Sequence, residues 1–161
     1  MSKFKKTNPM RLLEQDDIPY TPHEFNVDDG ALDGVTAAER LGKPVEEVFK
    51  TLVTEGEQDH YVFIIPVAEN LDLKAAAVAV DEKKIHMIPQ KELKPLTGYI
   101  HGGCSPLGMR SSFPTVIDAS AKELEQMTVS AGSIGVQMTL KPADLAGAIE
   151  NFHGFYDVTQ K

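Results

Sequence analysis

Apolar residues recur at every second position in several short segments of the chain, a pattern that predicts β-strands. The clearest case is a hairpin, in which residues 50–54 and 60–66 flank the acidic turn 55–59. Pro19 and Pro22 interrupt the first such segment, which predicts an edge position for it. We expect a sheet of about seven strands, drawn from eight candidate segments: 18–25, 50–54, 60–66, 84–88, 115–117, 127–130, 136–140 and 155–158.

Helices are predicted where a capping residue precedes a segment of helical spacing. Asp72 is typical of an N-cap before an alanine-rich segment, and Thr36 with Glu39 forms the capping-box pattern. The predicted helices are short and cover 8–17, 36–42, 72–80, 89–96, 119–126 and 142–151. Because hairpins are frequent and the helices short, a parallel Rossmann sheet does not fit. The sequence therefore predicts a mixed α/β (α+β) fold, with a long loop at 97–114.

The composition is that of one globular domain. A chain of 161 residues that is 42% hydrophobic is long enough to bury a core, and we assign residues 8–161 to the domain and 1–7 to a basic N-terminal tail. No apolar run approaches the roughly 20 residues that span a bilayer, and no signal-peptide core is recognisable. Cys104 is the single cysteine, which excludes an internal disulfide. These features favour a cytoplasmic protein without a membrane partner.

The charge is acidic overall but unevenly distributed. A net charge of -8, from 24 acidic and 16 basic side chains, argues against a general nucleic-acid coat. Segment 83–122 is the exception, because its basic residues outnumber Glu92 and Asp118. Such a region either attracts a phosphate-bearing ligand or belongs to a mixed, solvated surface. Its basic residues are Lys83, Lys84, Lys91, Lys94, Arg110 and Lys122.

The loop segment 97–108 is the most informative candidate site. Its four glycines allow the backbone to approach a ligand closely and to present N–H donors to a carbonyl oxygen or a phosphate. A purely structural glycine-rich turn is the alternative. His101 and Cys104 lie three residues apart in this loop, a spacing that fixes no mutual orientation, so a buried, inert Cys104 is favoured over a nucleophile. The histidines show no metal-ligand spacing, and we expect no metal site.

Lys50 is the second candidate. It is the single cation in the apolar run 48–53. A lysine in such a run either extends its ammonium outward to water or holds it in a pocket against an anion or a carbonyl oxygen. The pattern leaves both alternatives open.

Five segments taken together resemble the YbaK/EbsC family of aminoacyl-tRNA editing proteins, which is related to the editing domain of bacterial prolyl-tRNA synthetase. The resemblance extends over residues 8–158 and rests on the order of these segments. It implies a mixed, partly barrel-like sheet flanked by short helices. The matching segments are Val48–Leu52, Pro66–Ala68 with Leu71–Lys74, Thr97–Tyr99, Gly102–Gly108 and Pro114–Asp118.

The resemblance implies the deacylation of tRNA(Pro) mischarged with cysteine, and also of Cys-tRNA(Cys). Cysteine and proline are similar in size, so a synthetase pocket discriminates poorly between them and a second sieve is needed. In this family the substrate's own thiol attacks its ester, which requires no cofactor. The implied partners are the acceptor end of a mischarged tRNA and prolyl-tRNA synthetase. The alternatives are hydrolysis of another small residue, such as Ala-tRNA(Pro), by water, and a non-catalytic module that binds tRNA or a synthetase.

The resemblance also implies site residues. It places Lys50 and Gly102 at the catalytic positions, and the remaining substrate-binding positions are Thr51, Gly103, Ser105, Phe25 and Tyr20. Phe25 stands where relatives carry a functional tyrosine, and Tyr20 takes that place only if the strand register differs. The position of Cys104 is usually aliphatic in relatives. Segment 130–135 lacks the Gly-Gly pair and the basic residue that relatives often have.

Overall fold

The computed structural model describes residues 6–25 and 34–160. Five α-helices and eight strands lie in these ranges. The helices are α1 (Asn8–Gln15), α2 (Gly34–Leu41), α3 (Leu73–Ala79), α4 (Gln90–Thr97) and α5 (Pro142–Ala148). The strands are β1 (Thr21–Glu24), β2 (Phe49–Glu55), β3 (His60–Pro66), β4 (His86–Met87), β5 (Thr115–Asp118), β6 (Met127–Ser133), β7 (Val136–Leu140) and β8 (Phe152–Tyr156).

The strands form two sheets. The larger has the order β4-β2-β3-β5-β8, and the smaller has the order β1-β7-β6, with β1 at an edge as its prolines predict. The β2–β3 pair is an antiparallel hairpin, whereas β3–β5 and β5–β8 are parallel. A single parallel bridge between Val48 and Thr128 links the sheets. The mixed α/β fold is therefore confirmed, but the strands are divided between two sheets where one was predicted, and the sheets do not close into a barrel.

The core lies between the two sheets. Strand β3 is buried along nearly all its length, because its alternate side chains enter two apolar clusters on opposite faces. One face packs against the smaller sheet, and the other packs against α3. The first cluster includes Phe49, Val53, Val62, Ile64, Val129 and Met138. The second includes Phe63, Ile65, Ala76, Ala77 and Val116.

Glu82 fixes the turn between β2 and β3. Its carboxylate accepts hydrogen bonds from the backbone N–H groups of Glu57 and Gln58, each at 2.9 Å, and from the Tyr61 hydroxyl at 2.6 Å. The Tyr61 hydroxyl foremost, and then the backbone donors, hold the pKa of the Glu82 carboxyl below its usual value. The turn passes close to this carboxylate, because a Cβ added to Gly56 would lie 2.5 Å from the Glu82 Cδ.

Several predicted boundaries differ from the structure. Residues 119–126 are predicted to be an α-helix, but only Ala119–Glu123 is helical, and it is a 3-10 helix. The Ser120 N–H donates a hydrogen bond to the Asp118 carboxylate at its start. The last strand is Phe152–Tyr156 rather than 155–158, because its parallel register with β5 begins at Thr115. Only His86–Met87 of segment 84–88 pairs as a strand.

The beginning of α2 also differs, and part of the N-terminus is outside the description. Helix α2 already includes Gly34, so Thr36 is not its N-cap. Of the predicted basic tail, residues 1–5 lie outside the described residues. No helix in the described ranges is long and apolar enough to cross a membrane.

Candidate active site

A cavity of about 510 Å³ opens beside β2, where the 97–108 loop meets the hairpin of β6 and β7. Its wall is supplied by the residue after β1, the start of α2, the beginning of β2, Val67 after β3, Leu93 of α4, the glycine-rich loop and the β6–β7 hairpin. The wall therefore joins both sheets. Its polar members and glycines are Thr36, Lys50, Thr51, His101, Gly102, Cys104, Ser130, Gly135 and Gln137.

Lys50 and Thr51 contribute adjacent positions to this wall. Lys50 pairs with Ile65 across the hairpin and is half-buried. Burial lowers the pKa of its ammonium, and the charge of Glu69 opposes that shift. Within the described residues, no side chain forms an ion pair with Lys50. A partly desolvated cation at a cavity is suited to holding a phosphate or a carbonyl oxygen.

The glycine-rich loop is rigidly held. Gly98 ends α4 in the left-handed conformation, with φ of 91°, and the Tyr99 hydroxyl donates a hydrogen bond to the Leu107 carbonyl at 2.6 Å. Gly102 also has a positive φ of 89° and lies in the cavity wall. Glycine adopts this conformation without strain, so the loop presents bare backbone to a ligand at Gly102.

Gly103 and Ser105 support the loop from behind. A Cβ on Gly103 would lie 3.1 Å from the Ile134 nitrogen and 3.2 Å from the Ser133 carbonyl carbon, so the loop packs directly on the β6–β7 turn. Ser105 is fully buried, and its Oγ accepts a hydrogen bond from the Leu107 N–H at 3.3 Å. Neither residue contributes to the wall of the cavity.

The structure separates the two aromatic candidates. Phe25 follows β1, donates its N–H to the Gly135 carbonyl at 2.9 Å and lies in the cavity wall. Tyr20 lies instead at a second groove, of about 580 Å³, and its hydroxyl donates to Glu14 at 2.5 Å. The β1–β7 register thus brings Phe25, and not Tyr20, to Lys50 and Gly102.

Cys104 lies in the wall as a neutral thiol. Burial raises its pKa to about 12, although a hydrogen bond with Thr97 acts in the opposite direction. A thiol that stays protonated near neutral pH is a poor nucleophile. Within residues 6–25 and 34–160, no group of three or more His, Cys, Asp or Glu side chains is arranged to hold a metal ion.

Two polar atoms of the wall have no hydrogen-bond partner. Thr51 Oγ1 and Gln137 Oε1 are both buried and unpaired in the structure. An unsatisfied buried polar atom costs roughly 1–3 kcal/mol, so each is an unused acceptor for any polar group that reaches it. Sequence reasoning missed Gln137. Its one signal is a polar amide between two apolar residues of strand 136–140, and polar residues are common at such positions.

Comparisons with known proteins agree with this geometry. Residues 30–148 match the aminoacyl-tRNA editing domain family. The chain is 43% identical over 139 residues to EbsC of Enterococcus faecalis, a protein named as a candidate Cys-tRNA(Pro)/Cys-tRNA(Cys) deacylase; the match covers 86% of this chain and 85% of EbsC. It is also 26% identical over 111 residues to the uncharacterised protein YwhH of Bacillus subtilis, covering 68% and 70% of the two chains.

The fold has a solved counterpart. The structure of a candidate trans-editing enzyme for prolyl-tRNA synthetase superposes with a TM-score of 0.83 at 21% identity, covering 99% of this chain and 100% of that one. The chain belongs to the aminoacyl-tRNA editing domain family. The predicted family is thus confirmed, and with it the class of enzyme, an aminoacyl-tRNA deacylase.

Proposed function

We propose that this deacylase releases cysteine from Cys-tRNA(Pro), and also from Cys-tRNA(Cys). The observation that carries the proposal is the composition of the cavity wall, where a half-buried Lys50 and the bare backbone of Gly102 lie with an unreactive cysteine. This wall offers binding and orientation, whereas its own thiol is protonated. The name of EbsC, at 43% identity, supports the same substrate.

The proposed chemistry uses the thiol of the substrate. The cysteinyl Sγ, after loss of its proton, attacks the carbonyl carbon of its own ester. The C–S bond forms, the C–O bond to the terminal ribose breaks, and the ribose oxygen takes up a proton. The products are a cyclic thioester of cysteine and free tRNA. The protein accelerates this step by holding the thiol near the carbonyl and by stabilising the developing oxyanion.

Five wall residues have a proposed role in that arrangement. Lys50 holds the ribose–phosphate or the aminoacyl carbonyl by charge, and Gly102 leaves space for the ester and offers its backbone N–H. The unpaired Gln137 Oε1 and Thr51 Oγ1 accept hydrogen bonds from the substrate ammonium group, which has three donors to satisfy. Phe25 packs an apolar ring against the substrate, so the hydroxyl that relatives carry there is not part of this site.

Alkylation of the substrate thiol tests the proposal. Purified Cys-tRNA(Pro) is compared with the same tRNA after its cysteine has been alkylated, each with and without enzyme. We expect rapid release from the first and the buffer-only rate from the second. Rapid release from both would assign the attack to water, and buffer-only rates for both would exclude cysteine as the substrate.

A Cys104→Ala variant is the control for the enzyme's own thiol. Loss of a catalytic nucleophile typically lowers kcat by about 10⁶-fold. Because the Cys104 thiol is buried and protonated, we expect kcat to stay within about tenfold of wild type, the range of a change in wall packing. A loss of several orders of magnitude would make Cys104 the nucleophile.

A further inference from the structure

Helix α4 adjoins the cavity and divides into two faces. Leu93 and Leu96 pack against the core and Thr97 is buried, whereas Lys91 and Lys94 are exposed. The two lysines are three residues apart, so their side chains lie next to each other on the outer face. The helix has eight residues and is therefore about 12 Å long.

Arg110 adds a third cation to this outer face. Its Nη1 donates a hydrogen bond to the Pro95 carbonyl at 3.3 Å, and its backbone N–H donates to the Thr97 carbonyl at 3.0 Å. The side chain lies against Gly98, where an added Cβ would be 3.4 Å from its Cγ and Nε. Arg110 is thus held at the C-terminal end of α4 while its side chain remains exposed.

The positive charges of this face favour an anionic ligand. Adjacent like charges on a helix repel each other, and Glu92 is the one acidic residue of α4. In the part of the chain that the structure describes, no carboxylate forms an ion pair with Lys91, Lys94 or Arg110. These cations are therefore available to phosphate groups.

The cationic residues adjoin elements that line the cavity. Leu93, which lines the cavity, is adjacent in sequence to Lys94, and successive Cα atoms are only about 3.8 Å apart. Beyond α4, the exposed side chain of Ile100 precedes His101 and Gly102 of the cavity wall. A row of cations is suited to binding the phosphates of single-stranded nucleic acid, and the exposed Ile100 offers an apolar contact to a base.

We infer that the outer face of α4, with Lys91, Lys94 and Arg110, binds the phosphates of the single-stranded 3′ end of the tRNA as it enters the cavity. This inference rests on the proposed function, because the phosphate backbone is the covalent continuation of the aminoacyl ester. Ile100 packs against a base at the entrance. An acidic protein surface, such as that of a synthetase, would need no position near the cavity, and the position of these cations beside Leu93 and the glycine-rich loop favours the nucleic acid.

The test combines a charge-removing double variant with a salt titration. Lys91→Gln with Lys94→Gln removes two exposed charges and keeps good helix formers. Binding of uncharged tRNA(Pro) is measured over a range of salt concentrations. Loss of two single-strand phosphate contacts should reduce the slope of log K against log salt by about 1.4. Lys74→Gln with Lys83→Gln removes the same charge from exposed positions on and after α3, and should leave the slope unchanged.

Turnover gives a second readout. We expect the α4 variant to raise KM for Cys-tRNA(Pro) about tenfold at an unchanged kcat. Cleavage of cysteinyl-adenosine, an ester without phosphate groups, should stay at the wild-type rate.

Four results would overturn the inference. In the salt titration, these are an unchanged slope for the α4 variant or an equal fall of the slope in the control variant. The other two are an equal loss of activity on cysteinyl-adenosine, and weaker binding of the α4 variant to the synthetase with the salt slope intact. The last would assign the α4 face to an acidic protein surface. Failure of the proposed function is seen separately, as wild-type protein that leaves Cys-tRNA(Pro) acylated, because the salt titration uses uncharged tRNA.

Discussion

At the scale of single residues, Lys50 combines a positive charge with a half-buried position in the cavity wall. Burial lowers the pKa of its ammonium, so this group loses its proton at a lower pH than an ordinary lysine. The proposed reaction uses this group in its charged form. Its proposed role is electrostatic, so its removal should lower turnover without unfolding the protein.

Replacement of Lys50 by alanine should reduce turnover more than tRNA affinity. Groups that stabilise developing charge are worth on the order of 10²-fold in kcat, so we expect a fall of that size on Cys-tRNA(Pro). The Kd for uncharged tRNA(Pro) should change less than threefold, because phosphates elsewhere supply most of the affinity. Single-turnover kinetics and a binding titration measure the two quantities. Lys74→Ala is the control, and equal losses of kcat and affinity in Lys50→Ala would make Lys50 a tRNA-binding residue only.

Glu82 makes the stability of the β2–β3 turn dependent on pH. Its pKa is lower in the folded protein than the ordinary value of 4.5, so its contribution is present above pH 4.5 and is lost as the pH falls through the folded pKa. Glu82→Gln should lower Tm at pH 7, because an amide replaces an acceptor that serves three donors. The Tm difference from wild type should shrink below pH 4.5.

Glu123→Gln, at an exposed position, should show neither effect. A Tm difference independent of pH would contradict this account.

Single residues also show how far the candidate site could be predicted. Lys50 is the one cation of an apolar run, and Gly102 belongs to a conspicuous glycine cluster, so both are visible in the sequence. The structure brings both to one cavity with Phe25. Gln137 gave no comparable signal, because its unpaired oxygen follows from tertiary packing and not from sequence spacing.

At the scale of elements, the glycine-rich loop depends on its contact with the β6–β7 turn. Gly103 packs against the backbone of Ser133 and Ile134, where nothing flexible can move aside. The loop position that exposes Gly102 to the cavity is therefore coupled to a hairpin of the smaller sheet. Hydrogen bonds from Tyr99 and to Ser105 hold the rest of the loop in place.

Two glycine substitutions distinguish this contact from a general effect of alanine. Gly103→Ala introduces a Cβ at 3.1 Å from a backbone nitrogen, and overpacking of this kind costs about 1–3 kcal/mol. We expect a lower Tm and a lower kcat/KM. Gly147→Ala in α5 meets nothing within 4 Å and should raise stability by up to about 1 kcal/mol. Denaturant unfolding measures both. An unchanged Gly103→Ala protein would show that the loop is not fixed by this contact.

The elements were predictable where the pattern is local. The hairpin β2–β3 and the helix capped by Asp72 follow from alternation and from a capping side chain, whose Oδ1 accepts from the Lys74 and Ala75 N–H groups. Strand β8 was misplaced because its limits are set by parallel pairing with β5, a partner distant in sequence. The segment after β5 was predicted as an α-helix because 3-10 and α-helical turns share similar residue patterns.

At the scale of the whole molecule, the two sheets meet at one bridge, and the cavity lies where they join. The sequence pattern predicted mixed α/β elements, whereas their division into two sheets is a long-range property that no local pattern encodes. The family resemblance supplied the expectation of a partly barrel-like sheet, and the structure has two sheets that remain open.

The net charge of -8 concerns the molecule as a whole. A surface of this sign repels nucleic acid in general, so binding through one cationic face should be weak and sensitive to salt. Prolyl-tRNA synthetase, as a proposed partner, would raise the local concentration of mischarged tRNA. The assay of substrate choice should therefore compare deacylation rates with and without the synthetase.

The most direct measurement is the initial rate of deacylation on a panel of purified substrates, with and without prolyl-tRNA synthetase. The panel contains Cys-tRNA(Pro) and Ala-tRNA(Pro), with a Ser-tRNA as control. We predict rapid release from Cys-tRNA(Pro) and buffer-only rates for the other two, because only cysteine carries the attacking thiol. Persistence of Cys-tRNA(Pro) at its buffer-only rate under both conditions, or faster release from Ala-tRNA(Pro), would contradict the proposed function.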